Sequence, residues 1–417
     1  MLVLVLGIVA RIAIAPFTGH PADIGFLAVA MRLYYNQGII DLRYFPTLPP
    51  LYFIELVVYA PYALLRDAGL QDPLFLYHTA YPIETVFLKL PMILSDLGIF
   101  LLLLRFTKSL RYAGLYLLNP FTIFLSASWG TYDAIMILPL ISGFILLSQN
   151  KRNYASLAFA LSGMIKLYGF VPLTFLGIQN LAEKRFKATL FQICSSAALG
   201  LGFISPLIIQ GGLGDFYSGF VLRFVGANGA QTRTWNIFAA LYGIRFGGAS
   251  PFIIPTAALV VGLFLYQSRT GFSLKTSLLW TIVMAAVLNV FSQSEPQWLS
   301  WMIAPSILYG FFVGRDSLAK YVYVLGTGAT FLTMTLTQGT GYLLAGLVST
   351  QWLGAQIEGI TDGLAVYSVT VLAMIGLLMG YLFIKPSKFK LEVAAVIFIV
   401  YAQAYFWFAI VNIVHLQ

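Results

Sequence analysis

Long apolar runs separated by short polar breaks fill this chain nearly from end to end. Apolar positions within each run are continuous rather than alternating, a pattern that suits helices. A membrane helix needs about 20 mostly apolar residues. In lipid every backbone polar group must pair internally, which leaves helices or a closed barrel. The pattern predicts helices over 1–16, 85–105, 112–127, 134–149 and 188–208, with two short apolar runs at 153–166 and 168–182. Six more helices follow toward the C-terminus, with 291–298 and 338–363 between them on the outer side. The expected fold is therefore all-α and polytopic, with about 13 (11–13) transmembrane helices. Two long segments, 17–83 and 210–250, interrupt the spans. Within the first, IGFLAVAMRLYYN (24–36) and PPLYFIELVVYAPYALL (49–65) are candidates for interfacial helices.

Composition agrees. The chain has 417 residues, 59% of them hydrophobic and 9% charged, and a mean hydropathy of +0.86, which excludes an ordinary soluble domain. Met1–Pro16 lacks a basic start and a small-residue cleavage pattern, so it reads as a first membrane helix rather than a cleaved leader. The single Cys194 lies in an apolar run and reads as a packing residue. No internal repeat or low-complexity linker is visible, so residues 1–417 are expected to form one domain.

The net charge of +9 would suit nucleic acid, but its distribution does not. Six breaks, at 105–111, 150–153, 183–187, 268–275, 314–320 and 385–392, hold fifteen Lys/Arg against three acids; the remainder holds nine against twelve. Basic loops mark the cytoplasmic side. Those six breaks therefore share one face, the N-terminus is cytoplasmic, and the long segments are extracytoplasmic.

On that threading Asp23, Asp133, Lys166, Arg223, Arg233 and Glu295 come from separate parts of the chain to one outer face. An ionisable group at membrane depth is by default a functional hypothesis. Carboxylates and cations together suit a site that holds a phosphate while a carboxylate works on a hydroxyl. His20, His78 and His415 show no metal-ligand spacing and read as structural. No metal site, dinucleotide fingerprint, phosphate loop or Ser/His/Asp arrangement is present, which disfavours a nucleotide-sugar donor. Arg11 within the first helix is a candidate partner for Asp96 or another buried acid.

Seven segments in order carry a family resemblance: HPADIGF (20–26), FPTLPPLY (45–52), KLPMILSDLGIFLLL (89–103), LLNPFTIFLSASWGTYDAI (117–135), SGMIKLYGFVPL (162–173), RTWNIF (233–238) and NVFSQSEPQWLSW (289–301). With them the chain resembles the GT-C superfamily of glycosyltransferases, which use polyprenyl- or dolichyl-phosphate sugars. It is most similar to the dolichyl-phosphate-mannose- and glucose-dependent transferases and the first GPI mannosyltransferase. The motifs fall within 1–301, and 302–417 adds C-terminal helices. The resemblance implies a hexosyltransferase, mannose ahead of glucose, acting on a lipid-linked or glycan acceptor at the extracytoplasmic face with inversion. It implies no cofactor and no essential metal, and leaves open a small accessory subunit.

Under the resemblance Asp23 is the catalytic base; the plainer alternative is a helix cap. Its neighbours Ala22 and Ile24 lack the second acid found in relatives with an acidic pair. Lys166, Arg233 and Arg223 are candidates for the donor phosphate; the alternatives are a snorkelling Lys and Arg residues on lipid head groups. Asp133, Asn236, Gln293, Glu295, Gln297 and Trp298 are candidates for sugar or acceptor binding, against a turn or cap for Asp133 and an aromatic belt around Trp298. A secondary transporter or lipid flippase is the rival class, because the short pair 153–166 and 168–182 reads as a broken helix.

Overall fold

The computed structural model describes residues 2–40, 49–70, 72, 81–209, 214, 261–262, 265, 273–291, 296–315 and 322. Among these the regular structure is helical and contains no strand. The chain divides into two compact units. One comprises 1–102, 123–232 and 342–348, the other 103–122, 233–341 and 349–417.

In the first unit, α1 (Leu2–Ile14) ends where Pro16 and Gly19 interrupt the apolar run. A short 3-10 turn and the wide π-helical turn Pro21–Gly25 then lead into α2 (Phe26–Gln37). Gly38 closes α2 in the left-handed region, at φ 68°. α3 (Pro49–Asp67) buries Tyr52, Glu55, Tyr59 and Tyr62, three to four residues apart, as one face of an amphipathic helix does. The interfacial helices expected over 24–36 and 49–65 are thus present as helices.

α4 (Pro82–Thr107) is the longest described element. Its start is fixed by Asp72, whose carboxylate accepts from the amides of Ile83 and Glu84 at 3.0–3.2 Å. Downstream, α7 (Asp133–Ser148) and α8 (Arg152–Ile165) form a tight hairpin. Phe159 lies so close to Gly143 that a Cβ there would stand 2.4 Å from its ring. α9 (Phe170–Ala182) folds back on α8, and α10 (Phe186–Ile209) follows.

The second unit contains α5 (Leu110–Leu117), α11 (Leu274–Phe291) and α12 (Ser300–Phe312) among its described residues. α12 packs on α5 and α11, with Tyr112 and Phe106 against Phe311 at centroid distances of 5.6 and 5.7 Å.

One expected helix is broken. The apolar run 112–127 predicts a continuous helix, but α5 stops at Leu117 and a new turn, α6 (Pro120–Ile123), begins at Pro120. Proline lacks the N–H that would continue the ladder and pushes Asn119 out of helical geometry. The Asn119 side chain then caps the new turn by accepting from Phe121 N at 3.0 Å. Cys194 is also not where the sequence suggests: it is exposed on α10 rather than packed inside.

Among the described residues two helices are long and apolar enough to cross a membrane, α4 and the Phe186–Pro206 part of α10. Shorter apolar helices occupy 2–17, 133–148, 167–182 and 274–286. The spans expected past residue 322, and the loops expected at 210–250 and 338–363, lie outside the described residues apart from isolated positions.

Candidate functional site

Two turns of the first unit meet at the candidate site. The first leaves α1 through Thr18 and His20, both extended. Extension at His20 is what a following proline demands. The amides of Asp23 and Ile24 then turn back onto His20 O at 3.1 and 2.9 Å, which seats Asp23 within the π-helical turn. The second turn is the tip of the 120–148 hairpin. Phe124–Trp129 widen into a π-helical turn that Gly130 terminates at φ 86°. Only a residue without a side chain fits there. A Cβ on Gly130 would lie 2.4 Å from Ile24 Cδ1, besides the unfavourable backbone.

The turns are joined directly by His20 N, which donates to Trp129 O at 2.9 Å. They are also joined through Lys89, a fully buried side chain of α4. Its ammonium lies within 2.5–3.2 Å of five oxygens: Ala15 O, Thr18 O and Oγ1, Ala127 O and Ser128 O. An ammonium has three protons, so some of these bonds are shared. Deeper in the same unit, Arg11 Nε donates to Asp96 Oδ2 at 2.9 Å and to Ser126 Oγ at 3.2 Å. The candidate Arg11–Asp96 partnership therefore forms, and it ties α1 and α4 to the root of the tip.

Asp23 is held asymmetrically. Its Oδ2 accepts the indole N–H of Trp129 at 2.5 Å. His20 Nδ1 stands 3.2 Å from the same oxygen without hydrogen-bond alignment. The imidazole stacks on the Trp129 indole at 4.8 Å and 23°. Oδ1 receives no hydrogen bond among the described residues, and the side chain keeps 13% exposure. The capping alternative does not hold, because neither helical turn beside Asp23 takes a side-chain cap.

Four residues beyond Trp129, Asp133 opens α7 almost fully buried, so it is not an exposed turn residue. Its Oδ1 lies 2.6 Å from Lys166 Nζ, and its Oδ2 accepts from Thr131 Oγ1. Lys166 occupies the extended break between α8 and the 3-10 turn Leu167–Gly169. That break is possible because Gly169 sits against Ser162 and Gly163, where a Cβ would approach backbone atoms to 2.3–2.4 Å. The ammonium of Lys166 also lies over the Tyr132 ring, 4.6 Å from its centroid.

The tip 129–133 thus carries the Asp23 contact at one end and the Lys166 contact at the other. Four residues of chain span at most about 14 Å even fully extended. A carboxylate with one oxygen clamped and the other open is arranged to accept a proton. The lysine that meets the other end of the tip brings a cation to the same place, already paired with Asp133.

A second network braces α2 against α4. Arg32 makes a bidentate pair with Glu84, which also accepts from Tyr59 OH at 2.6 Å. Burial and the neighbouring Glu84 push the Tyr59 hydroxyl far above the usual tyrosine range.

Gln297 and Trp298 belong to the second unit: Gln297 is buried, and Trp298 stacks on Trp301 at 4.8 Å. Arg223, Arg233, Asn236, Gln293 and Glu295 lie outside the described residues, as does His78. Lys89 and Trp129 were not singled out by sequence reasoning, and His20 was read as structural. An ionisable residue inside an apolar run, as Lys89 is, was a signal that could have found it. His20 and Trp129 had none beyond adjacency to a candidate.

No protein-family model matches the chain, and no curated protein matches it.

Proposed function

We propose that the chain is a multi-pass membrane hexosyltransferase of the GT-C type, inverting, with Asp23 as general base. Its donor is a polyprenyl- or dolichyl-phosphate hexose, mannose ahead of glucose, and its acceptor is a glycolipid or glycan hydroxyl at the extracytoplasmic face. About 13 spans with a cytoplasmic N-terminus complete this reading. The observation that carries it is the clamped carboxylate: Oδ2 of Asp23 is fixed by Trp129 while Oδ1 is open, at one end of the tip whose other end meets Lys166.

The steps follow from that arrangement. An acceptor hydroxyl hydrogen-bonds to Asp23 Oδ1. Its oxygen attacks the anomeric carbon from the face opposite the phosphate, and the carbon–oxygen bond to the phosphate breaks. The hydroxyl proton passes to Asp23, and the bond electrons leave with the lipid phosphate, whose growing charge Lys166 stabilises. Backside attack inverts the anomeric centre. Alignment of hydroxyl, base and donor supplies much of the rate.

Membrane residence is supported by apolar faces left uncovered. α1 exposes Leu2, Val5, Leu6, Val9 and Ile12, one helical stripe, and α10 exposes Leu190, Ile193, Leu201 and Ile208.

The test is transfer of radiolabelled mannose from a polyprenyl-phosphate donor by purified protein to lipid-linked acceptors. Labelled glycolipid is expected, and Lys166→Ala, which also unpairs Asp133, raises the donor KM. Movement of the donor across vesicles with no covalent product would instead establish the transporter reading.

A further inference from the structure

His20 is the polar group at this site whose placement the transfer step leaves unused. Its Nδ1 is buried and without a hydrogen bond, yet it stands 3.2 Å from Asp23 Oδ2. The ring is stacked on the same indole whose N–H clamps that oxygen. At 26% side-chain exposure, His20 is the more accessible of the pair. One edge of the imidazole is therefore held at the base and the ring reaches toward solvent. A purely packing residue would not need a nitrogen at either edge.

Asp23 faces a difficulty that this geometry resolves. After each transfer the carboxylate carries the acceptor's proton in a nearly enclosed position and must lose it before the next turnover. Among the described residues the charged groups around the turn are Asp23 itself and Lys89 from α4; the 15–17 and 124–129 turns carry no charge. Lys89 is surrounded by carbonyl and hydroxyl oxygens and is directed at the backbone, not at the carboxylate.

We propose that His20 is a catalytic proton relay, receiving at Nδ1 the proton that Asp23 has taken from the acceptor hydroxyl and releasing it to water at Nε2. This rests on the glycosyltransferase reading above. The balance is simple. The proton taken up at Oδ1 comes to face His20 by rotation of the protonated carboxyl group and passes to Nδ1 of the Nε2–H imidazole. The imidazolium gives its Nε2 proton to water. The Nδ1–H tautomer left behind returns to the Nε2–H form by ring rotation and proton exchange with water before the next turnover. No bond other than N–H and O–H is made or broken.

Three variants test the relay in the full-length protein, with the mannose-transfer assay. His20→Phe keeps an aromatic ring to stack on Trp129 but has no nitrogen. It is expected to lower kcat by about 100-fold, the usual scale of a lost acid–base group, with both KM values within about two-fold. His20→Ala is expected to fall similarly and to regain a large part of its turnover when free imidazole is added. Asp23→Asn is expected to gain nothing from imidazole, because its proton acceptor is missing. Turnover of His20→Phe within about two-fold of wild type would overturn the relay and leave the base assignment to Asp23 standing. Loss in both His20 variants with no imidazole rescue of His20→Ala would also overturn it, and assign His20 to packing. If the wild-type protein forms no labelled product, the glycosyltransferase reading fails and the relay with it.

Discussion

α4 and α10 are the two described helices that meet the length and hydropathy of a membrane span, yet they lead opposite lives. α4 is the more apolar over its best window, and 56% of that window is buried; for α10 the figure is 11%. The difference follows from ionisable side chains. α4 carries Glu84, Lys89 and Asp96, and each is buried and bonded to a different segment: Arg32, the paired turns, and Arg11. From residue 188 to its end α10 has no Asp, Glu, Lys, Arg or His, and it presents Leu190, Ile193 and Leu201 outward. Charge in an apolar helix is costly in lipid and persists where protein satisfies it. Such positions in α4 locate the interior around which the candidate site is built, and the uniform apolarity of α10 goes with a surface that the rest of the described chain leaves uncovered.

Replacing Lys89 should break that contrast most severely. Lys89→Met strands five oxygens and unties the two turns, for an expected loss of about 3–5 kcal/mol in unfolding free energy. Leu201→Ala on α10 should change it by less than about 0.5 kcal/mol. Equal stability of the two variants in detergent would remove Lys89 as the tie. Trp129→Phe comes next. It keeps the aromatic packing but frees Asp23 Oδ2 from a charge-assisted bond worth about 1.5–3 kcal/mol. Turnover should fall by roughly 10- to 100-fold and the melting temperature by a few degrees; unchanged turnover would mean that the clamp is irrelevant to the base. Gly130→Ala combines a left-handed backbone with the approach of Ile24 and should cost about 1–3 kcal/mol, read by thermal unfolding.

The smallest effect lies outside both helices, between α9 and α10. Hydrogen bonding to Arg152 holds the Glu183 carboxyl below its usual range. A depressed carboxyl contributes stability that is fully present above the ordinary carboxylate range. That stability is lost as pH falls through the lowered value. Because the pair is largely open to solvent, the contribution is about 0.2–1 kcal/mol. Glu183→Gln should lower stability at neutral pH by about that amount and leave it unchanged in acid, where the wild-type carboxyl is protonated. A pH–stability curve identical to wild type would mean that the ion pair contributes nothing.

Much of the frame was legible from hydropathy alone. The apolar runs at 153–166 and 168–182 became α8 and α9, with Lys166 at their junction as the break between runs implied. The gap between the helices expected over 112–127 and 134–149 became the turn that bears the site. The break at Asn119 was missed because hydrophobic content masked the local effect of Pro120 on the ladder.

The site was less legible, for a physical reason. Asp23 and Lys166 stand out as charges in an apolar chain. The partners that define them, Trp129 for Asp23 and Asp133 for Lys166, lie 106 and 33 residues away in sequence. Asp133 and Lys166 were assigned separate tasks; their 2.6 Å contact makes them one unit, so changing either will disturb both. His20 carried no metal spacing and read as structural, and only its stacking on Trp129 reveals its relation to Asp23.

Single-turnover transfer of mannose by Asp23→Asn, measured beside wild type with donor binding followed in parallel, tests the base most directly. The variant is nearly isosteric and can still accept the Trp129 N–H, so the fold and donor affinity should be retained. Product formation should be slowed by at least about 100-fold. Transfer at the wild-type rate would contradict a catalytic role for this carboxylate.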